Sequence, residues 1–366
     1  MITRDFTELL KGCRPVKDSN GHIIVQTILN MQVVCLTTDP EYSLDSRFAN
    51  PLTSLQAGNS SYGQIDFRNN GNKEVIVPTQ MAVLTKQSAQ NHGMVKAGYI
   101  PENESVRFND AGCVQGGQTG HFRGTQEFRM IPVTMREMLF DKVGQTSGHG
   151  NIYPAIRKLG QETQSNTGDY LDRYFNKYDK KLEQFIAHFE RPRNLIGIIV
   201  LIDGEIVAID KFPSFTYAEQ VWDLMIRDCY GALAIISELE NKSNMNEFTK
   251  SYEALKKEYR ENIVDLLEAA LTKTKDKITE DIHEKMTELL DLTFDVKLDT
   301  EGNPSAGSRH PKSYLLDTEG YIGQIITENE FNHLVSVVKR DKFDPDALRR
   351  VNELRNKARS QQKFSL

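Results

Sequence analysis

The sequence predicts an α+β fold, with a β-rich N-terminal half that contains a hairpin-bearing sheet and is packed with several amphipathic helices from the C-terminal half. Three observations lead to this prediction. Short segments of β-branched residues, separated by Asn, Gly and Pro, occupy residues 1–140. Apolar residues at three- and four-residue spacing extend over 151–190, which is typical of helix. Two later apolar segments each surround a turn that contains Asp and Gly.

Four segments are predicted to form strands in the N-terminal half. HIIVQTILNMQVVCL (22–36) and NGNKEVIVPTQMAVLT (70–85) are rich in β-branched residues and bounded by turn-forming residues. SVRFNDAGCV (105–114) and TQEFRMIPVTM (125–135) are expected to be strands on either side of a glycine-rich stretch.

Residues 151–190 are predicted to form a helix with one aromatic face. Its aromatic residues recur at helical spacing over 170–189, which we interpret as core packing rather than as an aromatic ligand site. A second amphipathic helix is predicted over 216–239. Thr216 is its expected N-cap, because Glu219 three residues later completes a capping box.

Two hairpins are predicted in the second half of the chain. NLIGIIVLIDGEIVAIDKFPS (194–214) turns at an Asp-Gly pair at 203–204, and both turn positions tolerate positive φ. SYLLDTEGYIGQII (313–326) repeats the pattern around residues 317–320. We expect the two hairpins to be related units of a sheet.

The chain is predicted to hold one domain in two contiguous regions, followed by a tail. Residues 1–145 form the β-rich region with the glycine-rich polar loop, and residues 146–340 form a helix–hairpin–helix region that completes the same domain. Residues 246–292 within it are predicted to be helical with a solvated charged face. Residues 341–366 are expected to be a charged C-terminal helix and tail, with Pro345 at the first helical position.

The composition of the 366-residue chain excludes several classes of function. A net charge of -6 argues against nucleic acid as a partner, since broad electrostatic adhesion to it needs a basic surface. The N-terminus lacks the apolar run of a signal peptide, and no stretch is long and apolar enough to span a membrane. The four cysteines are widely spaced without a C-x-x-C pair, which argues against a disulfide framework. We therefore expect a cytoplasmic protein with no membrane association.

The stretch NDAGCVQGGQTGHFRG (109–124) approaches the phosphate-loop pattern G-x-x-x-x-G-K-[ST]. Gln118 stands where that pattern requires lysine, and the following residues have a β-like pattern instead of opening a helix. We therefore exclude a phosphate loop. A plain glycine-rich hairpin and a ligand-binding loop both remain open, and the density of polar groups favours the latter.

Two polar stretches, 85–99 and 109–124, are expected to meet at one rim of the sheet and to hold a ligand. Amide, imidazole and cationic side chains in these stretches can recognise base, ribose or phosphate groups. The predicted ligand-binding residues are Lys86, Gln87, Asn91, His92, Gln115, Gly117 and Arg123.

The catalytic residues, if any, are left as three candidates: Cys113, His121 and Asp110. A cysteine nucleophile needs a neighbouring base, and His121 is the nearest histidine in sequence. A buried, inert Cys113 is the alternative. No metal site is predicted, because His92, His121 and His149 lie on separate loops without ligand spacing. The cofactor is left undetermined.

Several motifs resemble those of the ARG and rhodanese-phosphatase-superfamily-associated protein domain family. They are the Lys86-Gln87 pair, Asn91, the Pro101 to Ser105 turn and the stretch Cys113-Val114-Gln115-Gly116-Gly117. The hairpin with the following helix that carries Trp222 is also similar, and the resemblance extends over about residues 50–330. It implies nucleotide- or ADP-ribose-related metabolism by association with ADP-ribosylglycohydrolases. The family's glutamate is Gln115 here, which removes a proton-transfer group but keeps hydrogen bonding.

Two functions remain open. The first is binding, with hydrolysis or transfer as the reactions to consider, of a small nucleotide-like ligand such as ADP-ribose or NAD at the glycine-rich loop. The second is a non-catalytic interaction or assembly protein that works through the helical segment 246–292, as a homo-oligomer or with a partner.

Overall fold

The protein folds into an α+β structure with one large antiparallel sheet and three smaller sheets. The structure is a computed structural model, and it describes residues 2–28, 31–38, 47–61, 63–85, 91–116, 125–140, 149–202, 204–239, 282–299, 310–329 and 331–340. Within these ranges the strands are β1 (Ile2–Asp5), β2 (Cys13–Pro15), β3 (Val25–Ile28), β4 (Met31–Thr38), β5 (Leu55–Ser61), β6 (Gln64–Asn69), β7 (Val75–Val77), β8 (Met81–Thr85), β9 (His92–Met94), β10 (Gly98–Ile100), β11 (Ser105–Phe108), β12 (Ala111–Cys113), β13 (Gln126–Met130), β14 (Leu195–Ile202), β15 (Glu205–Lys211), β16 (Thr293–Leu298), β17 (Lys312–Asp317), β18 (Tyr321–Glu328) and β19 (Phe331–Lys339).

Most of the helices follow the N-terminal strands. They are α1 (Phe6–Leu9), α2 (Pro51–Ser54), α3 (Arg136–Phe140), α4 (His149–Glu162), α5 (Leu171–Ile186) and α6 (Phe215–Leu224). A 3₁₀ turn at Val133–Met135 leads into α3, and a π-helical segment, Met225–Tyr230, continues α6 into helical residues 231–239. Residues 282–290 are also helical.

The large sheet combines strands from both ends of the chain. Its order is β1-β16-β17-β18-β19-β15-β14-β4-β2, and β3 pairs with β4 as a tenth strand. β2 and β3 occupy successive lengths of the same edge of β4, because β14 takes the other edge. The predicted hairpins are confirmed as β14–β15 and β17–β18, and both lie in this sheet on either side of β19. Gly204 in the first turn has a φ of 78°, as an Asp-Gly turn requires.

The large sheet is buried on both faces. One face packs against the smaller sheets, α6 and the π-helical segment, with Val33, Val200 and Trp222 in this core. The other face packs against α1 and helical residues 282–290, through Phe6, Ile282 and other apolar residues. Residues 246–292 are the segment predicted to be an assembly surface. The described helix at its end, 282–290, is therefore part of the protein's own core.

A four-stranded sheet in the order β12-β9-β8-β13 supports α4 and α5. Ile152 and Ile156 from α4, with Tyr174 and Phe175 from α5, pack against buried strand residues such as Val114. The aromatic face of α5 is thus core packing, as its helical spacing predicts.

The helix predicted over 151–190 is wrong as one element, because it is two helices. Residues 163–170 separate α4 from α5, and within them Gln164, Asn166 and Gly168 have φ values of 53°, 52° and 58°. Left-handed residues end a helix, and only the glycine adopts this conformation without cost. Composition gave little warning of the break, since two of the three positions are not glycine.

The predicted N-cap of α6 is also wrong. Ser214 is the cap, and its Oγ accepts a hydrogen bond from the Tyr217 N–H at 3.1 Å, so the helix begins before Thr216. The predicted helix over 246–281 and the C-terminal segment 341–366 lie outside the described residues.

Candidate functional site

The four-stranded sheet brings the ends of both predicted polar stretches together. Thr85 on β8 pairs with Gln126 on β13, and the Val114 N–H donates to the Asn91 carbonyl at 3.0 Å. We call Thr85, Asn91, Gln115 and Gln126 the strand-end rim. Residues 86–90 and 117–124, which lie outside the described residues, connect to the chain at this rim.

A pair of side-chain amides fixes the centre of the strand-end rim. The Asn91 amide nitrogen donates to Gln115 Oε1 at 2.6 Å. Asn91 Oδ1 accepts from the Thr85 N–H at 2.8 Å and from Thr85 Oγ1 at 3.2 Å. Asn91 is buried, whereas Gln115 is half-buried. Within the described part of the chain the Gln115 Nε2 group has no hydrogen-bond partner, so two donors remain for another molecule.

The connection between α4 and α5 holds the backbone of residues 114–116. Gly116 N–H donates to the Asp169 carbonyl at 2.9 Å, and Leu171 N–H donates to the Val114 carbonyl at 2.9 Å. The Tyr153 hydroxyl on α4 donates to the Gln115 carbonyl at 3.3 Å. These bonds attach the start of the glycine-rich stretch to a rigid helical scaffold, which favours a preorganised site.

Two arginines lie on the helical side of the strand-end rim. The Arg173 guanidinium stacks over the Tyr170 ring at 4.3 Å from its centroid. Arg157 Nε donates to Asp169 Oδ1 at 2.7 Å, and this hydrogen bond raises the pKa of the guanidinium. Both arginines are exposed, and the charge of Arg157 is offset by Asp169. This side of the rim therefore presents the positive charge of Arg173 beside the Tyr170 ring.

Cys113 pairs with His92, not with a residue close in sequence. The two residues face each other across β12 and β9, with Cys113 Sγ 3.5 Å from His92 Nε2. Both side chains are buried, at 1% and 0% exposure. His121, the base that sequence distance favours, lies outside the described residues. The cross-strand register that brings Cys113 and His92 together has no sequence signal.

Asp110 is held in a buried ion pair. Lys96 Nζ lies 2.5 Å from Asp110 Oδ2 and 2.7 Å from Asp299 Oδ1, and all three side chains are buried. Ser313 Oγ donates to Asp299 Oδ2 at 2.9 Å, which ties this ion pair to the large sheet. The geometry gives Asp110 a role in joining two sheets.

Five of the predicted site residues are not described: Lys86, Gln87, Gly117, His121 and Arg123. Their assignment stays a prediction. His149 begins α4, so it is part of a helix start and not of a loop. Among the residues that the structure describes, no group of three His, Cys, Asp or Glu side chains could hold a metal ion.

Arg136 on α3 is a fully buried arginine. Arg136 donates through one terminal nitrogen to both carboxylate oxygens of Asp210, at 3.0 and 2.8 Å, and through the other to Cys229 Sγ at 3.1 Å. Tyr230 donates to the same carboxylate. Burial would lower the pKa of Arg136, but the charge of Asp210 outweighs it and raises the pKa. Burial raises the pKa of the Cys229 thiol to about 12.

A second buried arginine joins the four-stranded sheet to the π-helical segment. Arg129 on β13 donates to Asp228 at 2.9 and 3.0 Å, and Met130 N–H donates to the same carboxylate at 3.1 Å. The Arg129 guanidinium also lies 4.2 Å from the centroid of the Phe175 ring. Sequence reasoning missed both arginine clusters, although charged residues inside apolar segments such as EFRMI and EIVAID were a usable signal.

The comparison with known protein families decides the family. A model of the ARG and Rhodanese-Phosphatase-superfamily-associated Protein domain matches residues 24–293, about three quarters of the chain. The chain belongs to this family. The match confirms the family that the motifs indicate, although it begins before residue 50 and ends before residue 330. It spans the whole strand-end rim and both buried arginine clusters.

The family is associated with ADP-ribosylglycohydrolases. No curated protein and no solved structure matches the chain. None of the helices in the described ranges has the length and hydropathy of a membrane span.

Proposed function

We propose that this protein binds a nucleotide-derived metabolite, such as ADP-ribose or NAD, at the strand-end rim. The observation that carries the proposal is the Gln115 amide, whose oxygen is held by Asn91 at 2.6 Å while its two N–H donors are uncommitted within the described residues. A half-buried, oriented donor is suited to a base, ribose or phosphate oxygen. The family's association with ADP-ribosylglycohydrolases supports this class of ligand.

The surroundings of Gln115 fit the two chemical parts of such a ligand. Arg173, which has no ion-pair partner among the described residues, provides positive charge for phosphate groups, and the Tyr170 ring beside it provides an aromatic surface for a base. The predicted ligand residues of the two polar stretches belong to the same proposed site, where Lys86 and Arg123 would bind further phosphate oxygens.

The proposal is limited to binding, with hydrolysis or transfer as a subsequent question. Cys113 and Asp110 are buried and contact His92 and Lys96, so neither reaches a ligand at the rim without a rearrangement. Gln115 itself cannot exchange a proton as a glutamate would.

The test is isothermal titration and thermal unfolding with ADP-ribose, NAD and AMP. At a ligand concentration of about 100 times Kd, binding stabilises the folded state by about 2.7 kcal/mol. Gln115→Ala should weaken binding by about tenfold, as expected for one lost hydrogen bond to a charged or polar group. Gln184→Ala, an exposed glutamine on α5, is the matched control and should bind as the wild type does.

Two results would refute the proposal. One is the absence of any thermal shift with these compounds at millimolar concentration. The other is equal affinity of wild type and Gln115→Ala, which would place the ligand elsewhere.

The alternative function, assembly through residues 246–292, is less well supported. Residues 282–290 form the described helical end of this segment, and Ile282 and Leu289 are buried against the large sheet. That end is therefore committed to the fold. Light scattering of the full chain and of a variant that lacks residues 246–281 tests this alternative. A stable oligomer that forms only when these residues are present would support it.

A further inference from the structure

A cavity lies at the curled end of the large sheet. It has a volume of about 620 Å³, which is within the range of small-molecule sites. Its lining shares no residue with the strand-end rim. The side chains that matter for its chemistry are Arg4, His310, Lys312, Tyr314, Glu328 and Asn329.

The curl of the sheet assembles this cavity from distant parts of the chain. Arg4 lies on β1, Lys312 begins β17 and Glu328 ends β18. Although β1 is four strands away from β19 in the sheet order, Arg4 donates from one terminal nitrogen to Asn332 Oδ1 on β19 at 3.0 Å. This contact brings the first strand beside the ends of β17 and β18.

The one carboxylate among these six side chains already has a cationic partner. Arg47 lies 2.6 Å from Glu328 Oε2 and 3.1 Å from Glu74 Oε2, and it is 2.9 Å from His333 Nε2. Glu328 is half-buried, so this ion pair is partly shielded from solvent. Arg47 is shared with Glu74, so the negative charge of Glu328 is offset in part before any ligand arrives.

The cationic groups Arg4 and Lys312, in contrast, have no carboxylate partner among the described residues. Within the described residues Lys312 has no hydrogen bond or ion pair, and Arg4 makes only the bond to Asn332. His310 accepts or donates through Nδ1 to the Tyr99 hydroxyl at 2.9 Å, and its Nε2 has no partner there. Among the arginine, lysine and glutamate side chains of this group, three cations face two carboxylates: the cations are Arg4, Arg47 and Lys312, and the carboxylates are Glu74 and Glu328. These side chains together are therefore positive.

We propose that this cavity binds a small molecule through a phosphate or carboxylate group. Arg4 and Lys312 provide the charge, and the planar guanidinium can hold two oxygens of the anion. The Tyr314 ring offers an apolar surface to the rest of the molecule, and the Asn329 amide can donate a further hydrogen bond. The site is independent of the ligand proposed for the strand-end rim.

The experiment titrates the full chain with inorganic pyrophosphate and, separately, with succinate, at constant ionic strength set with chloride. The two compounds distinguish a phosphate site from a carboxylate site. Lys312→Met should weaken binding of the preferred anion by about tenfold or more. Because Lys312 is exposed and has no partner among the described residues, this variant should fold normally.

Two further variants make the comparison matched. Lys180→Met removes an exposed lysine on α5 and should leave anion binding unchanged. Lys312→Arg keeps the charge and should retain most of the affinity. Binding that is equally strong in Lys312→Met and Lys180→Met, or no binding of either anion by the wild type, would overturn the proposal.

Gln115→Ala separates this site from the rim. It should leave pyrophosphate or succinate binding intact while it weakens ADP-ribose binding. If Gln115→Ala abolishes anion binding and Lys312→Met does not, the anion binds at the strand-end rim and the second site is refuted.

Discussion

The buried arginine clusters and the strand-end rim are both polar, but their bonding differs. Arg136 and Asp210 satisfy each other inside the core, with Tyr230 on the same carboxylate. At the strand-end rim, Asn91 is fully engaged, whereas Gln115 uses only its oxygen among the described residues. The ion pair of Arg136 and Asp210 is therefore complete without a ligand. At the strand-end rim, the amide donors of Gln115 have no partner among the described residues.

The difference separates structural polarity from functional polarity. A buried charge without a partner costs several kcal/mol, so charged groups in the core must be paired. A half-buried amide remains partly solvated and costs much less when it is incompletely paired. A polar cluster whose donors and acceptors are all paired within the protein is therefore weak support for a binding site. An oriented side chain with unpaired hydrogen-bond donors is better support.

The largest effect on stability is expected from Arg136→Met. It leaves the Asp210 carboxylate buried without its cation, which should reduce the free energy of unfolding by about 3–5 kcal/mol. Urea denaturation measures this change. Arg107→Met is the control, because Arg107 pairs with Asp66 at the surface and should cost far less. Equal costs in the two variants would show that the buried cluster does not differ from a surface pair.

Gly112→Ala should have the next largest effect. A Cβ at Gly112 would lie 1.8 Å from Ile152 Cδ1 on α4, and overpacking of this kind costs about 1–3 kcal/mol. Gly320→Ala, where a Cβ meets nothing within 4 Å, is the control. Loss of stability only in the first variant would show that the first glycine of the phosphate-loop-like pattern serves helix packing. A neutral Gly112→Ala would contradict this.

Asn91→Ala and Gln115→Ala should divide stability from binding within the strand-end rim. Asn91→Ala removes the acceptor for the Thr85 N–H and hydroxyl, which should cost about 1–2 kcal/mol. Gln115→Ala should cost less, because it removes one side-chain hydrogen bond, the one from Asn91, whereas Asn91→Ala removes that bond and both bonds from Thr85. Thermal unfolding without ligand gives both values. A larger loss for Gln115 would make it a structural residue and weaken the proposed function.

The smallest expected effect is on the rate at which individual cysteine thiols react. Cys113 and Cys229 are both buried, so neither should react with a thiol reagent at pH 8 in the native protein, and burial raises the pKa of Cys229 to about 12. The half-buried Cys13 should react first. Mass spectrometry of timed samples identifies the modified residue. Rapid modification of Cys113, but not of Cys229, would show that the rim opens to the His92 side chain and would support Cys113 as a catalytic residue.

Local patterns predicted local structure well. The Asp-Gly turn predicts β14–β15, and the helical spacing of aromatic residues predicts the buried face of α5. Both depend on residues within a few positions of one another, which is the range over which turn chemistry and periodicity act.

The parts that sequence reasoning missed depend on partners far apart in the chain. Asp210 lies 74 residues from Arg136, and no local preference indicates that pair. His92 meets Cys113 only because β9 and β12 adopt one particular register. The meeting of the two polar stretches is supported at the strand-end rim, but five of the candidate residues lie outside the described ranges.

The pairing of β1 with β16 has a consequence for how the protein is made. Ile2 lies opposite Val296, so β1 cannot pair until a strand much later in the chain has been synthesised. Contacts between such distant residues form late and slow folding, since a long loop must close first. In the folded protein the apolar side chains of Phe6 and Leu9 belong to a core that includes residues of β16 to β19. Until those strands are made, the two side chains lack these packing partners. The segment that contains Phe6 and Leu9 is thus where a chaperone would be needed during synthesis.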